Sequence, residues 1–244
     1  MSGVLTGARV LVTRAEEDAP ELESLLRARG AIPVRMPCIA FEDGPDIDRI
    51  AGILRGRLAD LVVVASPHAA RRLLALSAAP GVPFAAVGVA TARELPGDVI
   101  IPKAGAGADA LVRELAGRVA TKRVLVARAE GGNPALVEGL RKAGAIVEVC
   151  TLYRTVTARN ADPEVVRELR EGRLDAISFA SGSAARGFVA LAGAESAARA
   201  AVACMGQQCA DEARKAGIRI DAVADGSLPE LCDALALAVR ARAG

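Results

Sequence analysis

Short apolar runs alternate along the chain with longer segments of helical spacing. The run RVLV at 9–12 is continuous and β-branched, which is typical of a strand buried on both faces of a sheet. Polar turn residues follow each run, and then comes an Ala/Leu/Arg/Glu segment in which positions such as Leu22 and Leu26 form one apolar stripe. Gly30 and Gly144 stand where two of these helices would end. The alternation predicts α/β architecture, with parallel sheets covered by helices on both faces.

The pattern predicts about ten strands. They lie near 9–13, 32–36, 61–65, 84–88, 98–101, 123–127, 146–150, 176–180, 201–205 and 219–223. Five strands in each half would give two similar doubly wound domains. Sheets of this kind bind ligands outside the carboxyl ends of their strands.

An internal repeat supports two similar halves. Residues 9–32 and 123–146 are identical at fourteen of 24 positions without a gap. Three further pairs follow in the same order: 60–76 with 175–191, 85–94 with 203–212, and 107–115 with 226–235. A repeat of this kind indicates a duplicated chain. If the two copies face each other, their strand-to-helix turns would line a common cleft.

The turns after the strands share one chemistry, because nearly all are small, polar residues that lead into a helix. Ser, Thr and Asp cap helix N-termini, and a helix start presents free N–H groups at the positive end of its dipole. Any single turn can be a structural cap and nothing more. Several helix starts that converge would instead form a site for a ligand with many anionic groups.

The composition is that of a globular protein, with 52% hydrophobic and 25% charged residues. Aromatic residues make up only 2%, with no Trp and a single Tyr. A groove that stacks nucleobases needs several aromatic rings. The formal net charge of +2 gives no global basic field. We therefore expect no nucleic-acid partner, while the preference for Arg over Lys permits an acidic small molecule.

The N-terminal stretch lacks the basic start, apolar run and cleavage site of a secretory signal. No run of about eighteen apolar residues occurs, so no membrane span is expected. The five cysteines form no CxxC pair, and the single histidine, His68, lies at no metal-ligand spacing from them. We expect a cytoplasmic protein with reduced, mostly buried thiols and no metal.

A set of segments now carries a family likeness. In chain order these are RVLVTR, ASPHAAR, AVGVATA, VLVARAEGG, CTLYRTV, FASGSAAR and CMGQQCA. From about residue 8 to about residue 238, the chain resembles the uroporphyrinogen-III synthase family. The resemblance implies two flavodoxin-like domains joined by a two-stranded linker, with crossings near 36–41 and 152–157. The expected domains are 1–37 with 157–244, and 38–156.

The resemblance also implies an activity. The family substrate, hydroxymethylbilane, is a linear tetrapyrrole with eight carboxylates and a terminal hydroxymethyl group. Loss of water gives an azafulvene, attack within ring D gives a spiro intermediate, and reopening inverts that ring to yield uroporphyrinogen III. Without enzyme the bilane closes to the uninverted isomer. This chemistry needs positioning and electrostatics, so we expect a cyclising hydro-lyase without cofactors. As a separate expectation, we take the enzyme to be a monomer.

Tyr153 is the first candidate for catalysis. It is the single Tyr, lies on a predicted linker strand, and matches the family tyrosine thought to assist departure of the hydroxyl. A phenol is protonated at neutral pH and can donate a hydrogen bond. The alternative is an amphipathic residue packed at a hinge. Its counterpart in the first repeat is Ile39, so the repeat itself does not require a hydroxyl there.

Three serines and a histidine are candidates for substrate binding. Ser66 and Ser181 follow matched strands and align with family hydroxyls, and Ser183 stands beside the second. We interpret them as carboxylate-binding caps, with purely structural caps as the alternative. His68, where the family often has a basic residue, is either an imidazolium that meets a propionate or a solvated residue at a helix start.

The other candidates also come in pairs. Thr91 aligns with a substrate-contacting threonine of the family, but its repeat partner is Cys209, and Gln208 is then a substitute donor. Arg14 and Arg128 end equivalent strands and could point toward a ligand. The alternative is that they form surface ion pairs, Arg14 with Glu16 and Arg128 with Glu130.

Two other function classes stay open. The segment VIIPKAGAGADAL contains G-x-G-x-x-A between a short strand and a helix, as in nucleotide-dependent oxidoreductases, with Glu130 as the ribose-binding acid. The signal is weak, because PKA separates the strand from the first glycine. A non-enzymatic ligand sensor would fit the same two-domain architecture, since fold does not fix function.

Overall fold

The computed structural model describes residues 5–76 and 81–243. The chain forms two compact units, which we call the end unit, Met1–Phe41 with Thr155–Gly244, and the middle unit, Glu42–Arg154. The strands are β1 Arg9–Val12, β2 Ile32–Arg35, β3 Ile39–Asp43, β4 Leu61–Val64, β5 Phe84–Ala86, β6 Val99–Ile100, β7 Arg123–Ala129, β8 Ile146–Thr157, β9 Ala176–Phe179, β10 Ala201–Cys204 and β11 Ala222–Val223. The helices are α1 Ala19–Ala28, α2 Ile47–Gly56, α3 Pro67–Leu76, α4 Val89–Ala92, α5 Ala108–Leu115, α6 Pro134–Lys142, α7 Pro163–Glu171, α8 Gly182–Ala192, α9 Gln207–Lys215 and α10 Leu228–Ala243, with a short 3-10 helix at Ala194–Ala197.

The end unit contains a five-stranded sheet in the order β11-β10-β9-β1-β2. Its strands pair in parallel. Because side chains alternate along a strand, each face of the sheet has its own core. Val10 and Val12 pack with α1 and α10 on one face, and Leu11 and Phe179 pack with α8 and α9 on the other. All four side chains are fully buried.

The middle unit contains a six-stranded sheet in the order β3-β8-β7-β4-β5-β6. Strands β4 to β8 pair in parallel with their neighbours. On one face, Val63 and Val126 pack against Leu111 of α5 and Leu140 of α6. Successive parallel strands end at the same edge of a sheet, so the turns that follow them gather there.

The predicted α/β class with parallel sheets is confirmed. The two predicted helix stops are confirmed as well, since Gly30 and Gly144 follow α1 and α6 with φ of +84° and +87°, where a side chain would be strained. The strand expected at 219–223 was too long, because only Ala222–Val223 forms it. There the Asp221 carboxylate accepts a hydrogen bond from the Val202 N–H at 2.8 Å. A side-chain oxygen therefore replaces the backbone carbonyl that a longer β11 would offer to β10.

The strand expected at 146–150 and the extended segment expected at 152–157 form one continuous strand, β8. Its neighbour β3 begins at Ile39 and covers the second half of the other predicted linker segment, 36–41. None of the helices in the described ranges combines the length and apolar character that a membrane crossing requires.

Candidate functional site

Tyr153 is placed by an irregularity in the sheet of the middle unit. Strands β7 and β8 pair residue by residue up to Arg128 and Thr151, and then Ala129 pairs with Tyr153. Leu152 is therefore an extra residue on β8, which makes this point a β-bulge. Because side chains alternate along a strand, the extra residue brings Tyr153 to the face that it shares with Ala129. The Tyr153 side chain is 7% exposed.

The phenol of Tyr153 packs against the N-terminal part of helix α3. The Ser66 hydroxyl, just before the helix, lies 3.3 Å from the Tyr153 hydroxyl and accepts the N–H of Ala69 at 3.0 Å. The His68 ring contacts the Tyr153 ring edge-on, with ring centroids 4.6 Å apart and an interplanar angle of 69°. The guanidinium of Arg72 lies 6.0 Å from the ring centroid. One helix therefore contacts the hydroxyl, the edge and the face of the same ring.

The interpretation of His68 as a solvated residue at a helix start is wrong. The side chain is only 8% exposed, because it packs under the Tyr153 ring rather than facing solvent at the helix start. Ser66 does serve as a cap for α3, as one interpretation required, but its contact with the Tyr153 hydroxyl adds a second role.

A pocket of about 300 Å³ opens beside Tyr153, and we call it the Tyr153 pocket. Three helices begin at its wall. Ser66 precedes α3, Gly107 caps α5, and Asn133 caps α6, accepting the N–H of Ala135 at 2.9 Å. Helix N-termini present unpaired N–H groups and the positive ends of their dipoles, so this wall attracts anions.

Arg128 adds a full positive charge to the Tyr153 pocket. It ends the buried part of β7, and its guanidinium donates to the backbone carbonyl oxygens of Gly132 and Asn133, at 2.7 and 3.1 Å. Both acceptors are backbone oxygens, and no carboxylate among the described residues pairs with Arg128. The alternative of an ion pair with Glu130 is therefore not what the structure shows, and the charge of Arg128 is held in place without being neutralised.

The end unit has a corresponding pocket of about 230 Å³, which we call the Ser181 pocket. Ser181 caps α8 by accepting the N–H of Ala184 at 3.2 Å, and the Ser183 hydroxyl accepts from Arg186 at 3.1 Å. Arg14 also lines this pocket, and its guanidinium lies 3.7 Å from the Asp18 carboxylate. Glu16, the alternative ion-pair partner of Arg14, instead pairs with Arg35.

Three other predicted positions lie elsewhere. Thr91 is on α4 and 3% exposed, and it is not among the described residues that line the Tyr153 pocket. Cys209, its repeat partner, is buried on α9, where its thiol donates to the Phe179 carbonyl oxygen at 3.4 Å. Gln208 is exposed in the first turn of the same helix. The structure therefore does not bring these residues into either pocket.

The thiols are free and buried, as expected. Burial raises the pKa of the Cys150 thiol to about 11 and that of Cys38 to about 12, so both stay protonated at neutral pH. A hydrogen bond from Cys204 lowers the pKa of Cys209, and the same contact raises that of Cys204. Within the described ranges, no three His, Cys, Asp or Glu side chains are grouped so that they could hold a metal ion.

Sequence reasoning missed Arg72 and Asp43. Arg72 pairs with the Asp43 carboxylate at the end of β3. A usable signal was present, because His68 and Arg72 are four residues apart and so share one face of α3. Asp43 gave no such signal, since its contact depends on how β3 lies beside α3.

The G-x-G-x-x-A segment does not stand where a dinucleotide site would need it. Strand β6 before it has two residues and lies at the edge of the sheet, beside β5 alone. Dinucleotide-binding sheets carry this turn after a central strand, at the point where the strand order reverses.

The comparisons with known proteins agree on one family. A family model described as uroporphyrinogen-III synthase HemD matches residues 7–230. A chloroplastic uroporphyrinogen-III synthase of Oryza sativa subsp. japonica is 28% identical over 86% of this chain and 73% of its own length. A uroporphyrinogen-III synthase of Synechococcus elongatus is 31% identical over 77% of this chain and 75% of its own.

Solved structures show the same fold at low sequence identity. A uroporphyrinogen-III synthetase of Helicobacter pylori is 17% identical, with a TM-score of 0.64 over 96% of this chain and all of that chain. A triple mutant of the Thermus thermophilus enzyme is 20% identical, with a TM-score of 0.55 over the same share of each. At these identities, the likeness concerns the fold alone.

Proposed function

We propose, since the chain belongs to the uroporphyrinogen-III synthase family, that it closes hydroxymethylbilane into uroporphyrinogen III with inversion of ring D and loss of water. The observation that carries the proposal is the hydroxyl of a buried tyrosine, 3.3 Å from a helix-capping serine, at the wall of a pocket where three helices begin. The oxidoreductase alternative has no comparable site among the described residues, because its glycine segment follows an edge strand.

The size of the Tyr153 pocket limits what it holds. About 300 Å³ is at the low end of small-molecule sites, and a tetrapyrrole with eight carboxylates is several times larger than one pyrrole ring. We assign to this pocket one end of the bilane, namely the ring that carries the hydroxymethyl group and its nearest acidic side chains. The rest of the substrate lies outside it.

The charges of the Tyr153 pocket suit that end of the substrate. Helix starts at Ser66, Gly107 and Asn133 offer backbone N–H groups, and Arg128 offers a guanidinium. Such groups hold carboxylates without a cofactor and need no reorganisation during the reaction. Ser181, Ser183 and Arg14 of the Ser181 pocket are proposed to hold carboxylates as well. Thr91 and Gln208 line neither pocket, so the structure gives less support to a carboxylate-binding role for them.

Tyr153 assists the departure of the hydroxyl group. The C–O bond breaks as the pyrrole nitrogen donates its electron pair, and the oxygen leaves with increasing negative charge. A phenol beside it donates a hydrogen bond to that charge, and transfer of the phenol proton lets the oxygen leave as water. The phenolate then regains a proton from the pyrrole N–H as the neutral azafulvene forms, so the net change is the loss of water. The Ser66 hydroxyl lies 3.3 Å from the Tyr153 hydroxyl and accepts the Ala69 N–H. We assign Ser66 as the donor to the phenol oxygen, because this direction leaves the phenol proton for the substrate and lets the chain of hydrogen bonds reinforce its members.

The proposed enzyme acts as a cytoplasmic monomer without metal, flavin or nucleotide. What the reaction requires is a fixed conformation of the bilane and stabilisation of the leaving oxygen, and both come from this chain's own groups. His68 packs against the phenol and so contributes by holding it, rather than by meeting a propionate.

The test is to incubate the purified protein with hydroxymethylbilane, in the presence of a metal chelator, and to resolve the product isomers. We expect the type III isomer in excess over the type I isomer formed by a protein-free control. Only type I product from folded protein would reject the proposed function. A requirement for added metal or nucleotide would reject its cofactor-free form.

A further inference from the structure

We propose that Arg72, held by Asp43, positions Tyr153 and keeps a positive charge beside its phenol ring. The proposal deepens the proposed function and rests on it for the catalytic consequence. The contacts of Arg72 with Asp43 and with the Tyr153 ring are present in the middle unit whatever the function is.

Ser66, His68 and Arg72 each contact Tyr153, and the guanidinium of Arg72 is a permanent full charge. This guanidinium lies 6.0 Å from the centroid of the Tyr153 ring, at the outer end of the range for attraction between a cation and an aromatic face. The Arg72 side chain is 23% exposed, so solvent screens it only in part. A positive charge at this position favours any negative charge that develops on the phenol oxygen.

Asp43 holds the guanidinium in place. The two side chains form an ion pair between the end of β3 and the second turn of α3. Asp43 is 70% exposed, so its own charge is well screened. An arginine with one fixed carboxylate partner samples fewer rotamers than a free one. The pair therefore limits where the cation can lie relative to the ring.

The end unit supports a role for Arg72 that is separate from folding. The sequence repeat aligns Arg72 with Gly187, just as it aligns Tyr153 with Ile39. At Gly187, an added Cβ would lie 2.0 Å from the Cys38 carbonyl oxygen, so no side chain fits there. The arginine thus occurs in the half of the repeat that has the phenol, and the fold of the other half leaves it no room.

Other charged groups also face the phenol, and the experiment must separate them from Arg72. His68 lies on the same helix, Asp43 reaches the ring through Arg72, and Arg128 of β7 lines the same pocket. Arg71 offers a matched control. It is the neighbouring residue on α3, but its guanidinium pairs with Glu94 at 3.0 Å on another side of the helix.

The chain has one Tyr and no Trp, so the near-ultraviolet absorbance of ionised tyrosine reports on Tyr153 alone. We would titrate this absorbance upward in pH for wild type, Arg72→Met, Arg72→Gln, Arg72→Lys and Arg71→Met. Loss of the cation makes the phenolate less favourable, so we expect the midpoint to rise by about half a unit to one unit in Arg72→Met and Arg72→Gln. Arg72→Lys should fall between these variants and wild type, and Arg71→Met should match wild type.

Steady-state kinetics give the second readout. For Arg72→Met we expect kcat to fall about threefold to tenfold, the size of one partly screened cation–ring contact, with KM unchanged. A raised KM with unchanged kcat would show that Arg72 binds substrate and would overturn the positioning role. An unchanged midpoint in folded Arg72→Met and Arg72→Gln would overturn it too. The titration needs no substrate, so it decides the contact even if the wild type forms no type III product, which would reject the proposed function instead.

Discussion

The Tyr153 pocket and the Ser181 pocket are lined by residues that the sequence repeat aligns. Each has an arginine near the end of a strand, Arg128 in β7 or Arg14 just after β1, and a serine that caps a helix, Ser66 or Ser181. These shared residues hold a strand end and a helix start together. They explain the likeness of the two pockets without any reference to catalysis.

The two pockets differ where chemistry would require it. Tyr153 of the Tyr153 pocket corresponds to Ile39 of the Ser181 pocket, and Arg72, which contacts the Tyr153 ring, corresponds to Gly187. Neither the phenol nor the cation beside it therefore has a counterpart at the aligned positions of the end unit. The arginines differ as well. Arg14 faces the Asp18 carboxylate, whereas Arg128 faces backbone carbonyls, since Gly132 stands at the position that corresponds to Asp18. On the proposed function, the Tyr153 pocket, in which no carboxylate pairs with Arg128, carries the reaction, and the Ser181 pocket binds carboxylates.

The largest expected effect is that of Tyr153→Phe on turnover. This change removes one hydroxyl and keeps the ring that packs against His68, so the fold should persist. One well-placed donor contributes about 10²–10³ to kcat, and we expect a loss of that order. Initial rates of type III formation measure it, with circular dichroism as the control for folding. Wild-type rates would make Tyr153 a packing residue and remove the distinction between the pockets.

The second largest expected effect is the loss of stability in Gly187→Ala. The new Cβ would lie 2.0 Å from the Cys38 carbonyl oxygen, so α8 must shift. We expect a loss of about 1–3 kcal/mol in the free energy of unfolding, as for other overpacked positions. Gly52→Ala is the matched control, because nothing lies within 4 Å of its added Cβ, and it should stabilise α2 by about 0.5–1 kcal/mol. Equal stabilities in urea unfolding would refute the steric argument.

The two capping serines allow a direct comparison between the pockets. Ser66→Ala and Ser181→Ala each remove one cap, so each should lower the free energy of unfolding by about 0.5–2 kcal/mol. Of the two serines, Ser66 contacts the Tyr153 hydroxyl and Ser181 does not. Ser66→Ala should therefore also lower kcat, by about threefold to tenfold, whereas Ser181→Ala should not. Equal kcat values in the two variants would show that the contact between Ser66 and Tyr153 does not contribute to catalysis.

The smallest effect concerns the two arginines and salt. Arg128→Met should weaken product binding more than Arg14→Met, by about threefold at low ionic strength, because the Asp18 carboxylate already offsets Arg14. The difference should shrink as salt screens the charge. Titration calorimetry at two ionic strengths measures both variants. A larger loss for Arg14→Met would reverse the assignment of the uncancelled charge.

Much of this account could be predicted from the sequence. Continuous runs such as 61–64 have no polar alternation, so they predict strands buried in parallel sheets. Ser66 and Ser181 could be predicted as caps, because a small polar residue before a helical segment has few other roles. Tyr153 stood out as the single Tyr, and the structure places its hydroxyl beside Ser66.

Other features depend on geometry that a one-dimensional pattern does not contain. The bulge at Leu152 is a matter of register between two strands and leaves no mark in the residues themselves. His68 was expected to be polar and accessible by residue type, but the adjacent Tyr153 ring buries it. Thr91 follows a strand in the same way as Ser66 does, yet it lies on the short helix α4 and outside the lining of the Tyr153 pocket.

The most direct test of the account is the isomer composition formed by Tyr153→Phe and Ile39→Val side by side. Ile39 is the counterpart of Tyr153 and lines the Ser181 pocket, and its loss of one methylene leaves a similar apolar wall. With hydroxymethylbilane at limiting enzyme, uncatalysed closure to type I competes with the enzyme. We expect Ile39→Val to keep the wild-type excess of type III and Tyr153→Phe to form mostly type I. The same isomer ratio from both folded variants would contradict the assignment of the chemistry to the Tyr153 pocket.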